Sequence, residues 1–203
     1  MTIASFDFNS FILHNPEPYI LRGETKHFEK LEEMKQKGFI KAYGVSVDRL
    51  DELQMILDYL QIDVVEVMFN IIHQEPKEAF IELAKRNIAI IVKIPFDSGW
   101  LTGKYTKDST FTGIRARWDK QTIETRAQIV SDIQAIVNQE SLVSTALSFI
   151  KSFSEVTTII PGIKSIEQLD SNIEAIESTM SSDIKTQLEN YYQSTIKNLY
   201  VPW

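Results

Sequence analysis

Three groups of residues in this sequence could do chemistry. The first is His14, which closes the apolar run Phe11-Ile12-Leu13 just before the loop Asn15-Pro16-Glu17-Pro18. Many α/β folds keep reacting groups at a strand tip. An imidazole there can donate a hydrogen bond to a carbonyl oxygen that gains negative charge. The alternative is a histidine that ends a strand and bonds to its own loop. The second group is Lys164, Ser165 and Gln168, after the break at Pro161-Gly162. Ser165-x-x-Gln168 has capping-box spacing and predicts a helix whose first N–H groups, with Lys164, form an anion site. The alternative is an ordinary capped helix beside a solvated lysine. The third is "DSGWLTGKY" (Asp97 to Tyr105), where Gly99 and Gly103, with Leu101 between them, let backbone approach a phosphate. A flexible surface loop is the alternative there.

Composition removes several other chemistries. The formal charge is −7 with no basic block, which argues against a phosphate-backbone partner. There is no cysteine, so thiolate metal sites, disulfides and thiol nucleophiles are excluded. His14, His27 and His73 lack metal-ligand spacing. His27 reads as an exposed helix residue and His73 as a loop residue. Arg115, Arg117 and Trp118 could cover a ligand but read rather as a solvated loop. The longest apolar runs, such as Ile88 to Val92, are too short to cross a bilayer, and the N-terminus has no leader pattern. The expectation is a soluble cytoplasmic protein without metal.

These residues must be held by elements, and the elements alternate. Strands are predicted at Phe8–Leu13, Phe39–Ser46, Val64–Phe69, Ile88–Ile94 and Val156–Ile160. Between them the spacing gives helices over Thr25–Lys37, from a cap at Asp48 to Leu60, and from Pro76 to Arg86. Two more cover Gln121–Val137 and Ser141–Phe153. A helix begins near Ser165, and another spans Asp183–Lys197 before the tail Tyr200-Val201-Pro202-Trp203. No linker or domain break appears, so residues 1–203 read as one domain.

Strands that are nearly continuous in apolar character, each followed by helix, imply a parallel sheet buried on both faces. A doubly wound nucleotide-binding sheet should carry G-x-G-x-x-G after its first strand, and "HNPEPYILRG" has none. At about 40 residues per unit, eight units need about 325 residues, within the range of (β/α)₈ barrels. The chain therefore reads as a TIM-barrel type α/β fold of five βα units, an incomplete barrel, with His14, Ser46, Glu66, Lys93 and Lys164 near one rim.

The motifs "FDFNSFILHNPEP", "AYGVSV", "VVEVMFNIIHQEP", "IPFDSGWLTGKY" and "IIPGIKSIEQLDSN" occur in one order and register. Together they resemble the C-terminal five-eighths of the aldo-keto reductase family, from the fourth barrel strand onward. The resemblance implies NADP(H)-dependent reduction of a carbonyl to an alcohol. It makes His14 the histidine of a catalytic tetrad. The Asp, Tyr and Lys of that tetrad have no counterpart before Phe11, and Tyr19 and Lys26 lie on the wrong loop to replace them. By the same register, Lys164 and Ser165 meet the cofactor's 2′-phosphate, while Gln168 and Asn172 meet the adenosine. The Gly99–Gly103 loop meets the pyrophosphate. Ser46 matches the family serine, but Val47 follows it where asparagine is expected. Glu66 stands at the carboxamide-binding position, and Lys93 where an aromatic ring often stacks on nicotinamide. Glu66 can accept from a carboxamide NH₂, or it can pair with Lys93, which is a structural role.

Three functional readings follow. The chain is an oxidoreductase impaired by the missing tetrad members, a nucleotide-binding remnant, or an interaction piece completed by another chain. Open edges on the first and last strands would favour a homo-oligomer.

Overall fold

Apolar runs of this kind pair side by side. In the computed structural model, which describes residues 8–138, 140–199 and 201–202, they do so in chain order. The strands are β1 (Phe8–His14), β2 (Ile40–Val47), β3 (Val64–Met68), β4 (Ala89–Lys93) and β5 (Val156–Ile160). They form one parallel sheet in the order β1-β2-β3-β4-β5, with no reversal. A doubly wound sheet would reverse partway. This is the strand order of a barrel wall, and the sheet does not close among the described residues. Phe6 and Asp7 of the first motif, and Tyr200 and Trp203 of the tail, lie outside the described residues.

The helices are α1 (Pro18–Leu21), α2 (His27–Gln36), α3 (Leu50–Tyr59), α4 (Phe80–Lys85), α5 (Lys120–Ile136), α6 (Leu142–Lys151), α7 (Ile166–Glu177) and α8 (Ser182–Ser194). Side-chain caps start four of them. Asp119 accepts from Thr122 N at 2.7 Å, Ser141 from Ser144 N, Ser165 from Gln168 N and Ser181 from Ile184 N. The Thr122 N–H, with the Thr122 hydroxyl, holds the Asp119 carboxyl below its usual range. Two expectations change. Pro76 opens a 3-10 turn (Glu75–Ala79) ahead of α4. Asp48 does not cap α3: Glu52 accepts from the N–H groups of both Asp48 and Arg49 at 2.9 Å. That leaves the Asp48 carboxylate free to turn elsewhere.

The chain packs as two compact units. The first holds residues 8–68, Glu75–Lys93 and Glu155–Thr158. Its strands alternate faces with period two. One face carries Leu13, Val45, Val65 and Ile90, then Val47, Val67 and Val92. Most of these are fully buried, together with Leu53 and Ile56 of α3 and Leu83 of α4. The opposite face carries Ile12, Gly44, Val64 and Ala89, followed by the row His14, Ser46, Glu66 and Ile91, and then Met68 and Lys93. The second unit holds Phe69–Gln74, Ile94–Ser154 and Ile159–Trp203. Its core is built on Trp100, Leu101, Ile133, Phe149, Ile150 and Leu188. β5 departs from the expected two-sided burial, since Thr157, Thr158 and Ile160 are exposed.

Candidate active site

In the first unit the register fixes which side chains can meet. His14, Ser46 and Glu66 are cross-strand neighbours on one face, and Lys93 follows on that face opposite Met68. Lys93 is 7% exposed, and its ammonium lies 2.8 Å from the Asp48 carboxylate, 2.8 Å from the Ser46 hydroxyl and 3.2 Å from the Asn15 amide oxygen. An ammonium has three donors. These acceptors use all of them.

The Ser46 hydroxyl then donates to Glu66 at 2.8 Å. Glu66 and Lys93 are thus linked through Ser46, and the ion pair is made with Asp48 instead. The cause is register, because Lys93 sits opposite Met68, two residues beyond Glu66. Asn15 takes a left-handed φ of 42°, which asparagine tolerates. Its N–H bonds to Ser46 O at 2.8 Å, tying the end of β1 to β2. The His14 imidazole is exposed and makes no hydrogen bond among the described residues.

In the second unit, the Asp97–Gly103 segment turns sharply, with positive φ at Asp97, Ser98, Gly99 and Gly103. Leu101 is fully buried, so its side chain serves the core and only its backbone can face a ligand. Lys104 lies over the Tyr105 ring, 4.7 Å from the centroid, and its Nζ would be 3.2 Å from a Cβ placed on Gly99. That puts a cation beside the glycine turn.

Ser165 caps α7, and the Gln168 carbonyl returns to accept from Lys164 N at 2.8 Å. Gly162, Lys164, Ser165 and Gln168 are all exposed. The Lys164 ammonium has no hydrogen bond or ion pair among the described residues. Glu167, in the same turn, is held below its usual carboxylate range by the Ser165 hydroxyl and its own N–H. Asn172 is buried with its amide nitrogen enclosed and unpartnered, so its side chain must rotate to reach a ligand.

Buried residues around the Asp97–Gly103 segment complete the picture. Asp97 and Arg126 are both fully buried and form an ion pair. His73 Nε2 lies 3.5 Å from the same carboxylate. Trp118 is no part of a solvated loop. It is buried beside Trp100 and Phe111, with ring centroids at 6.1 and 5.0 Å. Arg117 is exposed, as expected, and so is His27. A run of aromatics at 100, 105, 111 and 118 was the available signal for this cluster.

The model of the aldo/keto reductase family matches residues 4–192. The chain belongs to this family. Solved aldo-keto reductases share the fold. One from Bacillus halodurans aligns in its apo form with a TM-score of 0.73 and 18% identity, over 97% of this chain and 66% of its own. Its holo form gives 0.74 and 18%, over 97% and 63%. A glycerol dehydrogenase from Gluconobacter oxydans gives 0.67 and 14%, over 97% and 62%. A curated relative, the NADH-specific methylglyoxal reductase of Escherichia coli, is 30% identical over 87 residues, 42% of this chain and 27% of that protein. The chain thus spans less than two thirds of the length of these relatives. Among the described residues, no acidic and histidine cluster could hold a metal, and no helix is long and apolar enough to cross a membrane.

Proposed function

We propose that this aldo-keto reductase chain binds NADP(H) and contributes to the reduction of a small carbonyl compound to an alcohol in the cytoplasm. The observation that carries the reading is the start of α7. Its capped N-terminus favours an anion, and Lys164 offers an ammonium with no partner among the described residues, whereas the Glu167 carboxylate beside it is already engaged. Lys104 beside Gly99 offers a second cation for a diphosphate. In the first unit, taken by itself, Glu66 accepts one bond from Ser46 and keeps acceptor capacity for a carboxamide NH₂. The bound nicotinamide supplies the hydride. The chain's own part is to orient the carbonyl, for which His14 offers a ring with no hydrogen bond among the described residues.

The test is a fluorescence titration with NADPH and NADH. Lys164→Ala should weaken NADPH binding by about 1–3 kcal/mol, the scale for hydrogen bonds to charged groups, and leave NADH nearly unchanged. Equal losses for the two cofactors would rule out Lys164 as the discriminator.

The same preparation tests catalysis. The alkoxide formed by hydride transfer needs a proton. The tyrosine that supplies it in the family, and the lysine and aspartate that tune it, find no match within residues 1–203. Aldehyde turnover by residues 1–203 should fall at least about 10²-fold below that of a family member with the full tetrad, by the usual worth of a general acid. Comparable turnover would show that another group supplies the proton.

A second reading is an interaction piece completed by another chain, either a second copy or one that carries the other tetrad residues. It is favoured by the apolar side chains that α7 leaves in solvent, with Ile166 74% exposed and Leu169 and Ile173 on the same side. A monodisperse monomer in sedimentation would remove it.

A further inference from the structure

Non-glycine residues with positive φ are few among the described residues. Asn15, Asn87 and Asn138 are of the type that tolerates it. Asp97, at 44°, is too, but Ile94 and Ser98, both at 56°, are not, and these three lie in one loop with Gly99 at 102°. Such backbone persists only where its surroundings over-determine it, and it collects at functional sites.

The restraints can be named. Asn70 Nδ2 donates to Ile94 O at 2.9 Å, and Asn70 Oδ1 accepts from the N–H groups of Ile72 and His73. The Thr102 hydroxyl donates to Gly99 O at 2.7 Å. At the centre, the buried Asp97 carboxylate meets the buried Arg126 guanidinium, with His73 on its other oxygen. Arg126 also donates to Pro202 O at 2.8 Å and lies 5.1 Å from the Trp118 ring centroid. Burial lowers the guanidinium pKa to about 10, so the group stays charged at neutral pH.

A buried ion pair is a poor way to gain stability, because neutral, well-packed replacements often do as well or better. Its retained value is geometric. We propose that Asp97 and Arg126 are positioning residues. Their pair holds the left-handed Asp97–Gly99 turn in the shape that presents Gly99 and Lys104 to the diphosphate of the cofactor. This rests on the NADP(H) reading above.

The test is the double variant Asp97→Asn, Arg126→Met, which removes both charges and keeps a residue that tolerates left-handed backbone. NADPH Kd should rise about tenfold, the scale of one weakened hydrogen bond to a charged group. The thermal midpoint should stay near that of the parent, and amide exchange across residues 94–104 should quicken. Lys164→Ala is the control: it weakens NADPH without altering that exchange. An unchanged Kd in the folded double variant overturns the proposal and leaves the pair a packing feature. Failure of the parent chain to bind NADPH overturns the cofactor reading and this inference with it. If the double variant does not fold, Arg126→Lys makes the same test, because it keeps the charge and loses the planar fork. A rise in Kd of about threefold with the thermal midpoint held supports the proposal, and no change in Kd overturns it.

Discussion

Replacing Lys93 with methionine is expected to destabilise the first unit by about 3 kcal/mol, the scale for removing one partner of a buried ion pair. The side chain is 7% exposed and its ammonium holds Asp48, Ser46 and Asn15 together. Methionine fills a similar volume, so the loss reports the charge and its bonds and not a cavity. Without the ammonium, the Asp48 carboxylate loses its ion-pair partner, and the Ser46 hydroxyl that donates to Glu66 loses its own donor. Adding Asp48→Asn to Lys93→Met should recover part of the stability, because the two changes share one interaction. Urea unfolding of the three variants measures this. A loss below about 1 kcal/mol in the single variant would place the pair with ordinary surface salt bridges.

Gly44→Ala is expected to cost about 3 kcal/mol or more, or to prevent accumulation of folded protein. Gly44 pairs with Val64 on the neighbouring strand, and a Cβ at Gly44 would sit 1.7 Å from Val64 O and 2.7 Å from its carbonyl carbon. Both are backbone atoms, so no rotamer change relieves the clash. β2 and β3 would have to part in the middle of the sheet. Overpacking usually costs about 1–3 kcal/mol even where side chains can yield, and here they cannot. Gly162→Ala is the matched control. A Cβ there meets nothing within 4 Å, and stability should hold within about 0.5 kcal/mol. A Gly44→Ala protein as stable as its parent would show that the strands are further apart than the register requires.

Much of this protein was legible in its residues. Apolar runs bounded by glycine, proline and cap residues marked all five strands, and the boundaries of β5 match the expected Val156–Ile160. Ser141 and Ser165 announced the starts of α6 and α7 because a cap is a local device, made within four residues. His14 and Ser46 could be placed at strand ends for the same reason. Pairings that cross the sequence were not legible. Asp48 looks like a helix cap when only its neighbours are considered, yet Glu52 takes that work and Asp48 reaches Lys93. Glu66 and Lys93 looked like partners, yet a two-residue offset in strand register put Ser46 between them. Asp97 and Arg126 carry no local signal at all. They are 29 residues apart, and only packing around Trp100 and Trp118 buries them together. Local hydrogen bonding and periodicity are written along the chain, whereas the partner of a buried charge is set by which strands and helices finally lie side by side.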